Sequence, residues 1–377
     1  MLRCEVAVIG GGPAGAAAAM RLAEIGRTVV LLERGRYESA RVGETLPPVI
    51  RIPLAELGLW EAFAAAGHLR SPGLVSLWGG SRQDHDFICN PWGPGWQVDR
   101  RRLDRSLAES AAARGAIVWQ GARALSCSKA DGAWRLEVAR GAHRSSLDAA
   151  FLVDASGRAR WLARSQGIGR MRADRLVGVA AALPSASADR RTCIEAAPSG
   201  WWYSAALPDG NRLVAYMTDS DCLDHAPSKL EATWRRLLAQ TREVRRTVDQ
   251  RQLLRHCRVF AADSARLDAA ASDGWLALGD AAAAMDPLCG QGVYRALSSG
   301  LAGAAAVAEA LAGRSHALVD YRRGIERSYA DYLRERQQVY SLERRWADEA
   351  FWRRRLGPSN FGIAAAAAAA AQQGVVS

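Results

Sequence analysis

The chain has 377 residues, 49% apolar and 24% charged, a balance that excludes a disordered or membrane-embedded class and leaves room for two domains or one large domain with an inserted sheet. No uninterrupted apolar run of about 18 residues occurs, so no transmembrane span is expected. The formal net charge is +11, yet lysine stands only at Lys129 and Lys229; the dispersed arginines read either as a compositional habit or as a basic face toward an anionic cofactor or acidic partner, and they form no nucleic-acid module.

Seven scattered cysteines (Cys4, Cys89, Cys127, Cys193, Cys222, Cys257 and Cys289) suggest a reducing, cytoplasmic compartment without a metal site. Arg3 before a small-residue stretch has the look of a signal peptide, but the periodicity of "EVAVIG" and the alanines after it favours a strand and a helix. "CEVAVIGGGPAGAAAAMRLAEIGRTVVLLERG" reads as strand, turn, helix, strand, with Gly26 ending the helix and "TVVLLE" suited to a buried parallel sheet. Residues 41–70 read as loop plus a helix over "LAELGLWEAFAAAG", and 71–98 as short strands rich in Trp, Gly and Pro. A helix is expected from about Arg101 to Arg114. Strands follow at "AIVWQG", "WRLEVAR" and "AAFLVDASG". "VGVAAAL", "GWWYSAALP" and "NRLVAYMTD" predict a mostly antiparallel sheet, with a helix near Leu230–Ala239. "WLALGD" returns to a buried strand, and helices run on to a low-complexity tail, "IAAAAAAAAQQGVVS", read as a frayed helix.

Three glycines, Gly10, Gly12 and Gly15, satisfy G-x-G-x-x-G between a strand and a helix, where missing side chains let amides approach a pyrophosphate. Pro13 and Ala14 belong to the same turn. Glu33 ends the second strand, 18 residues after Gly15, in position to accept hydrogen bonds from a ribose; Arg34 and Arg41 complete this part of the cofactor-binding set. The combination of strand, glycine turn, helix, strand and acid points to a dinucleotide.

The second informative stretch is "WLALGDAAAAMDPLCGQGVYRAL". With it the chain resembles the superfamily of FAD-dependent monooxygenases that includes aromatic hydroxylases, flavin halogenases and geranylgeranyl reductase-like enzymes. The resemblance implies FAD, with Asp280 after Gly279 on the ribityl chain and the loop Pro287–Gly292, including Gly290, against the isoalloxazine. It also implies cofactor contacts from Arg100 in "WQVDRRRLD" and from Asp154 and Gly157 in "LVDASGRAR". A helix start at Gly290–Val293 would stabilise negative charge on the reduced ring. Gln291 reads as a donor to that ring or as a surface residue, and Cys289 as a redox group or, by preference, a small packed residue.

"RVGETLPP" resembles the halogenase-like branch and places Glu44 near the flavin. The lysine that halogenation requires in that family is absent before Lys129, and the W-x-W-x-I-P signature is represented only by Trp201, Tyr203, Ala205 and Ala206. "HDFICNPWGPGWQVDR", "GWWYSAALPDG" and "VAYMTD" look more like the tryptophan halogenase-like maturation flavoproteins of quinone-cofactor amine oxidases and dehydrogenases, which oxygenate a tryptophan in a partner polypeptide. Trp78, Trp92, Trp96, Trp201 and Trp202 read either as an aromatic pocket or as core. Of the nearby histidines, His68 and His85, His85 in "RQDHD" is a candidate for proton handling or an exposed turn.

The fold expected is α/β: a Rossmann-type FAD-binding domain with a parallel sheet (1–70, 97–175 and 258–320), a mostly antiparallel substrate domain (71–96 and 176–257) in an aromatic hydroxylase-like architecture, and C-terminal helices with a tail (321–377). The function implied is hydroxylation of an electron-rich aromatic through a flavin C4a-hydroperoxide, with O2 as co-substrate and NAD(P)H or a flavin reductase as electron source. The substrate is an aromatic small molecule or a tryptophan in a peptide or protein. The rival readings are a halogenase, a geranylgeranyl reductase-like enzyme and a non-catalytic assembly factor. Candidate catalytic residues are Glu44, His85, Pro287 and Gln291.

Overall fold

A computed structural model describes residues 2–130, 132–223, 227–249 and 257–357, so the low-complexity tail lies outside the described residues. Its central sheet is built around the strand Leu2–Ile9. This strand pairs in parallel with Val29–Glu33 (Val8 opposite Leu31) and with His143–Asp154 (Val8 opposite Val153). Ile117–Gln120 and Trp275–Ala277 extend the parallel set at its two sides. Parallel strands need long crossovers and covered faces, and that is why Val29–Glu33 is buried along its whole length. One face, through Val6, Val8, Leu31 and Val153, packs beneath the alanine-rich helix Pro13–Glu24. The other, through Ala7, Ile9, Val30 and Leu32, packs with the antiparallel strands Ala122–Ala130 and Ala133–Arg140.

The helix Pro13–Glu24 ends as expected, with Gly26 at φ +81° and its amide on Ala23 O. It crosses the helix Gly292–Leu311 at unusually close range. A Cβ on Gly300 would stand 2.4 Å from Ala14 O and 2.8 Å from Ala17 Cβ, so this crossing needs a glycine.

A second, seven-stranded sheet runs Arg258–Ala261, Leu176–Pro184, Asn211–Asp219, Gly200–Ala206, Thr192–Ala197, Gly73–Leu77, Arg82–Asp86. All its pairings are antiparallel except Thr192–Ala197 with Gly73–Leu77. Alternation sends successive tryptophans to opposite faces. Trp202 packs with Tyr216 and with Trp234 of the helix Pro227–Ala239; Trp201 packs with Trp78 and with Trp352 and Tyr340 of the C-terminal helices Ala350–Leu356 and His316–Ser341.

Three expectations need revision. The single helix over residues 54–67 is two short ones, Arg51–Glu56 and Trp60–Ala65, because Gly58 turns the chain at φ +66°. "RQDHD" is the exposed edge strand Arg82–Asp86. The helix His316–Ser341 crosses residue 320, where a division between segments was expected.

Close helix crossing makes a direct prediction. Gly300→Ala should destabilise the protein by about 1–3 kcal/mol through overpacking, whereas Gly324→Ala, whose Cβ meets nothing within 4 Å, should be neutral or stabilise it by about 0.4–1 kcal/mol. Denaturant melts of the two variants check the contrast.

Candidate functional site

A cavity of about 1820 Å³ opens beside the C-terminal ends of the parallel strands. Sites for a small ligand usually occupy about 300–1,000 Å³, so this one accommodates a large ligand with space beyond it. Ile9, Leu32 and Glu33 from two parallel strands line it, as do Gly10, Gly12, Pro13 and Ala14 from the first turn. The glycines of that turn differ in their reasons. Gly10, at φ +112°, and Gly15 are demanded by the protein itself: added Cβ atoms would meet Ala155 O at 2.3 Å and Gly10 O at 1.9 Å. Gly12 has an ordinary φ of −75° and nothing within 4 Å of its Cβ direction. No packing constraint explains a glycine there. The backbone at Gly12 is instead left open to close approach by a ligand.

Two helices begin at this cavity, Pro13–Glu24 and Gly292–Leu311, and neither first turn is capped by a side chain. Their free amides and positive dipole ends suit anionic or electron-rich groups. Gly292 also has nothing within 4 Å of its Cβ direction. Pro287 and Gln291 line the wall beside it, and Gln291 Oε1 accepts from Arg295 Nε at 3.2 Å, which leaves its amide nitrogen available as a donor. Gly290, left-handed at φ +62°, ends the turn Pro287–Cys289 without lining the cavity.

Glu33 is buried and held on three sides. Oε2 accepts the Gly11 amide at 2.9 Å; Oε1 accepts the Gly35 amide at 2.8 Å and Arg41 Nη2 at 2.9 Å. A carboxylate has about four acceptor positions, so one remains for a hydroxyl. Arg41 also reaches Asp104 at 3.1 Å, and Arg100 pairs with both oxygens of Asp104 while donating to Val42 O at 2.7 Å. Arg34, Arg41 and Arg100 all line the cavity, and Arg34 is exposed.

Across the cavity, Gly279 and Asp280 follow the strand Trp275–Ala277. The Asp280 side chain is 45% accessible within the cavity and lies 3.4 Å from Arg158 Nε. Desolvation in the cavity wall pushes its carboxyl up, opposed by Arg158 and Arg100. Arg158, which sequence reasoning left out although it follows Gly157 in "DASGRAR", also donates to Asp263 O and Met285 O. Asp154 lies behind the wall. It is fully buried and accepts from Ser156 N at 3.0 Å, Ser156 Oγ at 2.6 Å and Leu162 N at 2.9 Å, fixing the loop whose Ser156, Gly157 and Arg158 face the cavity.

Glu44 is buried next to cavity-lining Gly43, whose amide donates to Glu44 Oε2 at 2.9 Å. Its Oε1 has no hydrogen-bond partner among the described residues. Burial pushes this carboxyl up, opposed by the neighbouring Tyr203 hydroxyl. Tyr203 bonds Thr45, Thr45 donates to Gln97 Oε1 at 2.7 Å, and Gln97 donates to Thr192 at 2.9 Å. This polar cluster was not visible in the sequence, where its members are up to 158 residues apart.

His85 does not join the site; it sits on the exposed edge strand Arg82–Asp86 and is absent from the cavity lining. Trp78, Trp96, Trp201 and Trp202 are buried core and Trp92 is 40% exposed, and none of the five lines the cavity. Cys289 is exposed, not packed; within its turn it is the neighbouring Leu288 that packs, against the cluster around Trp201. Among the described residues no cluster of His, Cys, Asp and Glu could hold a metal ion, and no helix is long and apolar enough to cross a membrane.

The two kinds of glycine separate in binding and stability. Gly12→Val should keep the melting temperature of the cofactor-free protein while weakening FAD about a hundredfold; Gly15→Ala should lower the stability of that same form by about 1–3 kcal/mol. Titration of flavin fluorescence and thermal melts check both. Glu44 gives a pH signature. Its folded pKa is raised, so its contribution to stability is complete below the ordinary carboxylate value and is lost as pH rises through the folded one. Glu44→Gln and the unaltered protein should therefore melt alike below pH of about 4, and the variant should melt higher at neutral pH, by about 2 °C or more.

Residues 3–327 match a family model described as FAD binding domain. The FAD-dependent oxidoreductase LodB of Marinomonas mediterranea is 30% identical over 361 residues, covering 93% of this chain and 96% of LodB. Among solved structures, CmlS, a flavin-dependent halogenase, is 25% identical with a TM-score of 0.85, covering 97% of this chain and 70% of CmlS. The peptidyl tryptophan dihydroxylase QhpG, essential for tryptophylquinone cofactor biogenesis, superposes with a TM-score of 0.81 at 24% identity, covering 94% of this chain and 79% of QhpG. With a family match over residues 3–327 and a 30% identical oxidoreductase relative aligned over nearly its whole length, the chain belongs to the FAD binding domain family and is an FAD-dependent oxidoreductase.

Proposed function

We propose that this oxidoreductase is a monooxygenase that hydroxylates an electron-rich aromatic carbon, with a tryptophan in a peptide or protein partner as the substrate class. The observation that carries the choice over halogenation concerns lysine. The sequence holds only Lys129 and Lys229, and neither lines the cavity; Lys129 is committed to Asp273 at 2.8 Å. The partner is proposed from the whole-length similarity to LodB together with the activity named for QhpG.

In this reading the adenosine and pyrophosphate of FAD lie on Gly10, Gly12, Pro13 and Ala14, with a ribose on Glu33. Asp280 holds the ribityl chain. Val42–Gly43 and Pro287–Gly292 would hold the ring, and the start of the helix Gly292–Leu311 and the Gln291 amide would favour negative charge on it. FAD when bound supplies the oxygen-activating redox chemistry, with electrons from NAD(P)H or a separate flavin reductase. The protein orients the aromatic carbon and excludes water. Glu44, shielded and neutral more readily than an exposed carboxyl, is the group proposed to handle the proton released from that carbon.

The test is product mass. Holoenzyme supplied with reductant, O2 and a tryptophan-containing peptide or protein partner should add one oxygen atom per event, with the same yield in chloride, bromide or halide-free buffer. A halogen-dependent mass gain would establish halogenation instead, and reduction of an isoprenoid double bond without O2 consumption would establish the reductase.

A further inference from the structure

The strand Gly200–Ala206 turns Trp201 and Tyr203 to one face and Trp202 to the other. On the first face each side chain leads, through one intermediate residue, to a segment that borders the cavity: Trp201 through Tyr340 to Asp286, and Tyr203 through Thr45 to the stretch after Gly43. Trp201 Nε1 donates to the Tyr340 hydroxyl at 3.0 Å, and that hydroxyl donates to Asp286 Oδ2 at 2.7 Å. Asp286 in turn accepts the Leu288 amide at 2.9 Å through Oδ1, capping the turn Pro287–Cys289, while its own amide donates to Tyr332 at 2.8 Å. Two residues along the strand, Tyr203 bonds Thr45, two residues after cavity-lining Gly43. The segments behind the two walls approach each other here: Thr45 Cγ2 is 4.0 Å from where a Cβ on Gly290 would stand.

Trp201 and Tyr340 are fully buried, and Asp286 nearly so. A carboxylate in such surroundings persists only with several partners, and Asp286 has Tyr340, the Leu288 amide and Arg336 Nε at 3.4 Å, the last shared with Asp174. Apolar contacts, such as Leu288 against the cluster around Trp201, are non-directional and permit sliding. The hydrogen bonds fix direction and distance. One strand of the seven-stranded sheet is thereby tied to both cavity walls.

We propose that Trp201, Tyr203, Tyr340 and Asp286 are positioning residues which hold the segments Val42–Thr45 and Asp286–Gly292 in register with the seven-stranded sheet, so that the seating of that sheet sets the surroundings of the flavin ring. This rests on the ring lying between those two segments, as proposed above. A partner that shifts the strand Gly200–Ala206 then alters the flavin without touching it.

The experiment uses the holoenzyme of Tyr340→Phe, Tyr203→Phe and Asp286→Asn, with Trp202→Phe and Gly292→Val as controls, and reads the visible flavin spectrum, the equilibrium FAD affinity and the flavin reduction potential. Each of the first three variants should shift the spectrum and the potential and weaken FAD by about fivefold or more, since each removes at least one buried hydrogen bond and Tyr340→Phe removes two, to Trp201 and to Asp286. Trp202→Phe shrinks an equally buried aromatic on the same strand but the opposite face; its flavin should match the unaltered protein whatever happens to its melting temperature. A Trp202→Phe shift as large as that of Tyr340→Phe overturns the proposal in favour of general destabilisation. Should Gly292→Val alter the flavin while Tyr340→Phe, Tyr203→Phe and Asp286→Asn leave it unchanged, the ring placement stands and the proposal falls. A silent Gly292→Val overturns both. If Asp286→Asn fails to fold, the two tyrosine variants, each lacking one oxygen, decide the matter.

Discussion

Backbone amides at the starts of two helices, Pro13–Glu24 and Gly292–Leu311, open without side-chain caps onto one cavity, and this shared opening constrains much of the remaining architecture. For both starts to reach the same space the helices must cross closely, and Gly300 over Ala14 and Ala17 permits it. The first turn must also fold back tightly on the strand His143–Asp154, which Gly10 and Gly15 allow against Ala155 and one another. Leaving several amides unpaired inside a fold is costly unless a ligand or water completes them. An extended anionic ligand in this cavity would satisfy that requirement.

The charges around the cavity follow a related logic. Arg41 and Arg100 share the buried carboxylate Asp104, Arg41 also holds Glu33, and Arg158 joins Asp280 to Asp263. Each arginine makes several contacts from one planar group, as the forked guanidinium permits and a lysine ammonium does not. The cavity walls are thus cross-tied by ion pairs within the protein itself. Such ties suit a site that must hold a large cofactor in a fixed orientation.

The second sheet contributes through side chains that alternate along one strand. Trp202 and its partners Tyr216 and Trp234 build an ordinary core on the face covered by the helix Pro227–Ala239. Trp201 and Tyr203, on the other face, end in polar contacts to Tyr340 and Thr45, which lead in turn to Asp286 and to the stretch after Gly43 at the cavity. Tryptophan-rich sequence in this region suggested an aromatic pocket, but Trp78, Trp201, Tyr340 and Trp352 pack edge to face or tilted within a closed cluster that also anchors the C-terminal helices. Its contribution to the site passes through hydroxyl and indole hydrogens, not through lining.

Local chemistry was legible in the sequence wherever neighbouring residues alone dictate it. The turn at Gly10–Gly15, the fully buried strand ending in Glu33, and Gly279–Asp280 after a short apolar run each follow from backbone freedom, periodicity and residue type over a few positions. Those residues do face one cavity. Asp154, His85, Asp286 and Tyr340 were not legible in the same way. Asp154 sits behind the wall and shapes a loop, His85 lies on an exposed edge strand, and Asp286 meets Tyr340 across 54 residues. Short-range rules describe which conformation a segment adopts, whereas burial, orphaned polar atoms and hydrogen bonds between distant segments arise only when the two sheets and the C-terminal helices pack together; the sequence by itself determined the glycine turn after the first strand, and the tertiary structure alone decided which buried side chains brace the cavity.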